Sequence, residues 1–440
     1  MTFTSILAAR MLPLAAGLCL LAGCAGVQRV KALVAGPASP YLSGYIGEVV
    51  ADEPRATLVA RDILARGGNA ADAAAALGMS LSVTLPSRAS LGAGGTCLAF
   101  DAGAPGVADA ILFLPVAGDG SDGHVDRPAS VPMLARGLFL LQARHGSVGF
   151  DELVRPAASL ARHGITVSRA LADDLAQVQA PLLADPGARA IFAPGGTALP
   201  QVGDRLVQPQ LADTLDHIAQ VGVGDLYTGA LASDFVSGAD AAGGGLDMKT
   251  MRMALPIARK PLLLDAHAVQ IALPPPPAAG GQATRAAFEA LGNDAPPPPP
   301  GATLPASTSF VVLDRAGDAV SCAISMDNLF GTGRVAGDTG IVLGASPARV
   351  SAPLLAAAIA WSKAGHDFRA AVAASGQGQA AGAAADALHT ALDGSTPLVR
   401  PHTGAGRANA ISCPGGLPGD SGSCVGETDP RGAGLAIGSN

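Results

Sequence analysis

The stretch Pro305–Leu343, PASTSFVVLDRAGDAVSCAISMDNLFGTGRVAGDTGIVL, decides how this chain is read. Ser307 and Thr308 stand just before a strand-like apolar run, Phe310-Val311-Val312-Leu313. Asp314-Arg315-Ala316-Gly317 then turns the chain into a second strand, Ala319 to Ile324. A hydroxyl at the head of an apolar hairpin suits a nucleophile exposed when the backbone is cut directly before it. The freed α-amino group, with a reference pKa of about 7.7 to 8.0, can then act as base for the adjacent hydroxyl. Ser and Thr are also common turn residues, so the same pair can be read as the end of a Pro-rich linker.

Motifs spread along the chain bear on that choice. In order they are Gly67-Gly68-Asn69-Ala70-Ala71-Asp72-Ala73-Ala74, Leu91-Gly92-Ala93-Gly94-Gly95-Thr96-Cys97-Leu98, and Asp225-Leu226-Tyr227-Thr228-Gly229. Pro274 to Pro277 with Gly280-Gly281, Phe330-Gly331-Thr332-Gly333 and Asp429-Pro430-Arg431-Gly432 follow. Together they resemble the γ-glutamyltransferase (γ-glutamyltranspeptidase) family of N-terminal-nucleophile hydrolases, over roughly Gly47 to Gly438. That family opens its small subunit with a Thr, a valine-rich strand and an Asp-x-x-Gly turn. Counting back from Asp314 puts Ser307, not Thr308, in the nucleophile position, with Thr308 beside it as the second candidate.

The resemblance implies an α/β (α+β) fold, a four-layer αββα sandwich. Residues 46–306 would form a large-subunit-like part and 307–440 a small-subunit-like part of one globular domain. It further implies self-cleavage between Ala306 and Ser307, then acyl transfer from γ-glutamyl compounds such as glutathione; the eight His residues are scattered with no paired spacing, so no metal and no cofactor are expected. The oxyanion-hole glycines fall nearest Gly376 and Gly378, with Gln377 between them. Ser325 and Asp327 occupy family substrate-binding positions, and Ser346 and Arg349 stand where an amide and an acid are expected. Departures are evident: the family's carboxylate-binding Arg has no counterpart within Ala110–Pro115, and its Ser pair is replaced by Leu355-Ala356. An amidase for a different acyl group and a non-catalytic exported relative therefore stay open.

With 440 residues, 49% of them hydrophobic and 14% charged, the chain can bury a large core. A net charge of −7 gives no footprint for nucleic acid. Arg10 precedes the apolar run Met11–Ala22, which is too short to span a membrane and has the signal-peptide pattern. Leu21-Ala22-Gly23-Cys24 resembles a bacterial lipobox. The expectation is a signal peptide over 1–23, lipidation of Cys24, a tether over 24–45 and attachment to the outer membrane facing the periplasm. In that oxidising compartment a disulfide between Cys413 and Cys424 is expected, whereas Cys97 and Cys322 read as small buried hydrophobes.

Local patterns predict a strand at Val49–Asp52, a helix from Pro54 to Arg66, and a second from Ala71 to about Leu81 capped by Asn69. Helices are also expected from Ser130-Val131-Pro132 through His145, from Leu153 to His163, from Ala283 to Leu291, and over the Ala/Gly-rich Ala370–Ala391. Pro296–Pro300 reads as a stiff linker.

Overall fold

A computed structural model of the chain describes residues 41–104, 108–118, 125–291, 304–351, 353–402 and 404–438. The signal peptide, Cys24, most of the tether and Pro296–Pro300 lie outside them. The residues from Ser43 onward cluster into one unit, and Met1–Leu42 form another that is almost wholly outside the described residues.

Strands are numbered in chain order. The first are β1 (Gly47–Ala51), β2 (Gly94–Phe100) and β3 (Ala108–Phe113). Two short pairs follow: β4 (Val116–Ala117) with β5 (Ser130–Val131), and β6 (Ile165–Thr166) with β7 (Arg205–Leu206). Next come β8 (Ile257–Arg259), β9 (Leu262–Ala266), β10 (Val269–Leu273), β11 (Ser307–Asp314) and β12 (Ala319–Ser325). The last five are β13 (Ala356–Ser362), β14 (Phe368–Ser375), β15 (Arg407–Leu417), β16 (Val425–Thr428) and β17 (Leu435–Gly438). One sheet runs β17-β1-β11-β12-β2-β3-β8 and the other β16-β15-β14-β13-β10-β9.

The two sheets pack face to face. Val50, Leu98, Val311 and Leu313 of the first share one core with Ile359, Ala371, Ala373 and Ile411 of the second. Phe100 stacks on Trp361 across that core with ring centroids 5.2 Å apart. The other face of the second sheet, including Ala358, Val372, Ala408 and Ala410, packs on the Ala380–Asp393 helix. The first sheet is covered by the Ala70–Thr84 helix, every residue of which is buried. With aromatic content of 3%, these layers are filled largely by Ala, Leu and Val. Two sheets between two helical layers are the expected αββα sandwich.

Several sequence motifs turn out to be joints of this frame. Asn69 Oδ1 accepts from Asp72 N at 3.0 Å and Asp72 Oδ2 accepts from Asn69 N at 3.0 Å, a reciprocal cap on the Ala70–Thr84 helix. Asp314 folds its own turn by accepting from Ala316 N and Asp318 N, and its second oxygen accepts from Ala70 N at 3.0 Å. The Asp-x-x-Gly turn is thereby locked to the start of the central helix.

Ala370–Ala391 departs from expectation. Ala370–Ser375 completes β14, and the helix begins only at Ala380. Between β13 and β15 the backbone bonds of both neighbours are satisfied by a strand, and only small side chains fit its two buried faces. Tertiary packing outweighs the helix propensity of alanine there.

The cysteines also go beyond expectation. Cys97 and Cys322 are register partners on β2 and β12 and are joined as a disulfide. One lies before the Ala306–Ser307 bond and the other after it. A second disulfide joins Cys413 to Cys424.

Deep in the fold, Arg88 meets Asp174 through two bonds of 2.7 Å, and Ser87 Oγ donates to the same carboxylate at 2.7 Å. The two side chains are 7% and 0% exposed, so removing one partner leaves a charge stranded away from water. Asp174→Ala is expected to cost about 3–5 kcal/mol, read as a lowered urea midpoint at unchanged slope.

Candidate active site

Ser307 is the first residue of β11, between β1 on one side and β12 on the other. Strand alternation turns Ser307, Ser309, Val311 and Leu313 towards the second sheet, and the last two belong to the shared core. Thr308 points the opposite way.

The peptide bond ahead of Ser307 is gripped from both sheets. The Ala306 carbonyl accepts from Ser325 Oγ at 2.9 Å and from Met326 N at 3.1 Å, both supplied by the end of β12. Ala306 N donates to Gln377 Oε1 at 3.0 Å, and Gly376 N donates to Ser307 Oγ at 3.0 Å. Ala306 and Ser307 are buried. Ser325 thus touches the bond itself, and its Oγ also accepts from Asp327 N at 2.9 Å.

Gly376 ends β14 with φ at +112°, and an added Cβ would stand 2.2 Å from the Ala405 carbonyl. Only glycine fits that bend. Of the two residues expected at the oxyanion hole, Gly376 reaches Ser307. Gly378 is exposed, and among the described residues no hydrogen bond links it to Ser307. Gln377, at φ +58°, accepts from Ala306 N through its side chain instead.

Thr308 Oγ1 donates to Asp52 Oδ2 at 2.9 Å, which assigns it to a buried scaffold. Asp52 also accepts from Ser309 N at 3.1 Å and from Asn409 Nδ2 at 2.8 Å, and Asn409 Nδ2 lies 2.9 Å from Ser309 O and Oγ. This network ties the end of β1 to β11 and β15 through Thr308 and Ser309, the residues that follow Ser307. Sequence reading missed Asp52, Gln377 and Asn409. For Gln377 the signal existed, as the residue standing between the two glycines.

Asp327 sits just beyond β12 with φ at +61°, and its two carboxylate oxygens are buried without a hydrogen-bond partner. Burial pushes its pKa up to about 7. Ser346 is buried close by, since Ala345 N donates to Met326 O at 3.0 Å. Arg349 is exposed on the turn that follows. Ala110–Pro115, which covers the end of β3, holds no cation, and Leu355-Ala356 stand at the start of β13 where the family's serines are expected.

The raised Asp327 pKa carries a sign. Between about pH 4 and pH 7 the folded chain keeps a proton that the unfolded chain has released, so stability falls as pH rises through that window. Above it, the buried charge costs on the order of 4 kcal/mol. Asp327→Asn in an uncleavable background is expected to gain stability relative to its parent as pH goes from 5 to 8, by urea titration at each pH.

Beside this bond lies a cavity of about 110 Å³, lined by Pro305, Asp52 and four arginines, Arg88, Arg169, Arg407 and Arg431.

Residues 56–293 match the family model described as Gamma-glutamyltranspeptidase, more than half of the chain. The Glutathione hydrolase proenzyme of Escherichia coli (strain K12) is 34% identical over 245 residues, 52% of this chain and 42% of that protein. The chain thus spans less than half the length of the curated relatives it matches. The crystal structure of cephalosporin acylase from Bacillus halodurans superposes with a TM-score of 0.71 at 19% identity, covering 92% of this chain and 99% of that one. The Helicobacter pylori gamma-glutamyltranspeptidase structure gives 0.53 at 24% identity, over 58% and 77% of the two chains. These structural likenesses bear on the fold, while the sequence match spanning the central-helix motif carries the kinship: the chain belongs to the gamma-glutamyltranspeptidase family.

Proposed function

We propose that this protein is a self-processing amide hydrolase and acyltransferase of the γ-glutamyl type, with Ser307 as nucleophile. The observation that carries the reading is the Ala306 carbonyl, held by two donors at 2.9 and 3.1 Å beside the Ser307 hydroxyl. Attack of Ser307 Oγ on that carbon places the developing negative charge on an oxygen that already faces Ser325 Oγ–H and Met326 N–H. The C–N bond to Ser307 breaks as the Oγ proton passes to the departing Ser307 nitrogen, and an ester to Oγ remains. Water then hydrolyses the ester, leaving a carboxylate on Ala306 and a free amine on Ser307. The two products are the large-subunit-like part, up to residue 306, and the small-subunit-like part from 307.

In the processed protein the Ser307 amine accepts the hydroxyl proton as Oγ attacks an amide of the donor. The leaving amine departs with a proton, and water or an acceptor amine releases the acyl group. Gly376 N–H, which donates to Ser307 Oγ at 3.0 Å, holds the attacking oxygen in place. Asp327 supplies a buried negative charge for an ammonium on the donor. The γ-glutamyl class, glutathione included, follows from the named activity of the relatives.

A second reading, an amidase for a different acyl group, is favoured by one observation: Ala110–Pro115 holds no cation, and Leu355-Ala356 stand where the family places a Ser pair around a γ-glutamyl headgroup. Comparing γ-glutamyl-anilide with simple acyl-anilides decides between them. Turnover of the γ-glutamyl compound at least tenfold above the acyl series supports the first reading, and the reverse order supports the second. We place the protein at the cell envelope, anchored by lipid on Cys24 and facing the periplasm, on the strength of the Leu21–Cys24 motif. Metabolic labelling with a fatty acid that fails to mark the protein, or marks Cys24→Ala equally, would remove that placement.

A further inference from the structure

Of the four guanidinium groups around the cavity beside Pro305, three are already engaged. Arg88 is bonded twice to Asp174, Arg169 donates to the Gly432 carbonyl, and Arg431 donates to Asp429 and to the carbonyls of His402 and Gly404. Among the described residues, Arg407 has no ion pair and no side-chain hydrogen bond. The two carboxylates that bear on it, Asp52 and Asp429, are taken by Asn409, Ser309 and Thr308 and by Arg431 respectively. Burial first, and then the neighbouring Arg88 charge, push the Arg407 pKa down, so the site is short of negative charge.

Position supports a purpose for that cation. Ala408 and Ala410 face the outer helix, whereas Ile411 and Cys413 lie between the sheets, so Arg407 shares the inter-sheet side with Asn409. Ser307 points into the same layer, and Arg407 pairs through its backbone with Ser375, the residue before Gly376. Gly432 borders the guanidinium, and a Cβ there would be in ordinary contact with Arg407 Nη1, at 3.4 Å. In the uncut chain the cavity wall includes Pro305, next to the acyl residue of the bond to be broken. An external acyl group presented to Ser307 in place of Ala306 and Pro305 would enter beside the cavity that Pro305 and Arg407 both line.

We propose that Arg407 binds a carboxylate on the acyl portion of the donor, so that preferred substrates are amides of dicarboxylic or amino-dicarboxylic acids. The anionic end is then seated against β15, on the β1 flank of Ser307, and not against β3. A planar guanidinium with free N–H groups suits bidentate capture of a carboxylate. The proposal rests on Ser307 being the nucleophile, and its test separates the two.

Succinyl and glutaryl p-nitroanilides are compared with the same anilides bearing a terminal carboxamide, for the wild type, Arg407→Gln and Arg407→Lys. The expected result is a carboxylate preference in the wild type that collapses in Arg407→Gln through KM, by about 10- to 100-fold, with partial recovery in Arg407→Lys. Melting curves identify folded variants, and Arg407→Lys alone decides the matter if Arg407→Gln does not fold. A preference that survives in Arg407→Gln, or no preference in the wild type, overturns the assignment. If no anilide is turned over and no cleavage occurs, the Ser307 reading has failed and calorimetric titration with glutarate judges Arg407 separately. Binding lost in Arg407→Gln sustains the anion site, and absent or unaltered binding refutes it.

Discussion

Ser307→Ala is expected to leave the chain in one piece and to lower amide turnover by at least roughly 10³-fold. The argument is one of position. Among the described residues, Ser307 bears the hydroxyl that lies beside the Ala306 carbonyl and receives the Gly376 amide proton at 3.0 Å. Thr308, its neighbour, turns to Asp52. Thr308→Val should therefore still cleave, while losing on the order of 1 kcal/mol of stability with the bond to Asp52. Gel analysis of the two variants side by side, with urea titration, checks both halves. Cleavage in Ser307→Ala at the wild-type rate would mean that another group does the cutting.

The second large effect is expected from Ser325→Ala, which removes one of the two donors to the Ala306 carbonyl. Loss of a single preorganised oxyanion donor costs about 10²–10³ in rate, so cleavage should slow by that factor. Met326 N–H remains, at 3.1 Å, so the reaction should slow without stopping. Ser325 Oγ also accepts from Asp327 N, and the Asp327 turn should loosen slightly. Following cleavage over time after synthesis, for wild type and Ser325→Ala, gives the factor directly. An unchanged rate would detach Ser325 from the reaction and leave it a turn residue.

The frame was legible because its joints are short and local. Asn69 with Asp72 and Asp314 with its turn place their partners within a few residues, so spacing alone exposed the helix cap and the hairpin. Ser307 is singled out over Thr308 by counting back from Asp314 along the family resemblance. What could not be read depends on separations of hundreds of residues. The bonds from Asp52 to Thr308 and Asn409 span 256 and 357 positions. The Cys97–Cys322 disulfide spans 225, and neither cysteine carries a local signal beyond an apolar neighbourhood. Ala370–Ser375 misled because alanine favours helix in isolation, and only its place between two strands makes it sheet. Arg407 had no motif around it. Its meaning comes from the company it keeps, three engaged arginines and two saturated carboxylates.

The measurement that bears most directly on the central claim is the mass of the purified protein before and after reduction, with N-terminal sequencing of any fragment. Cys97 and Cys322 lie on opposite sides of the cut, so the disulfide should hold the cleaved parts together. The account predicts one species without reductant, heavier than the uncut polypeptide by one water, and two after reduction, the smaller beginning at Ser307. A single polypeptide of uncut mass under both conditions would contradict it.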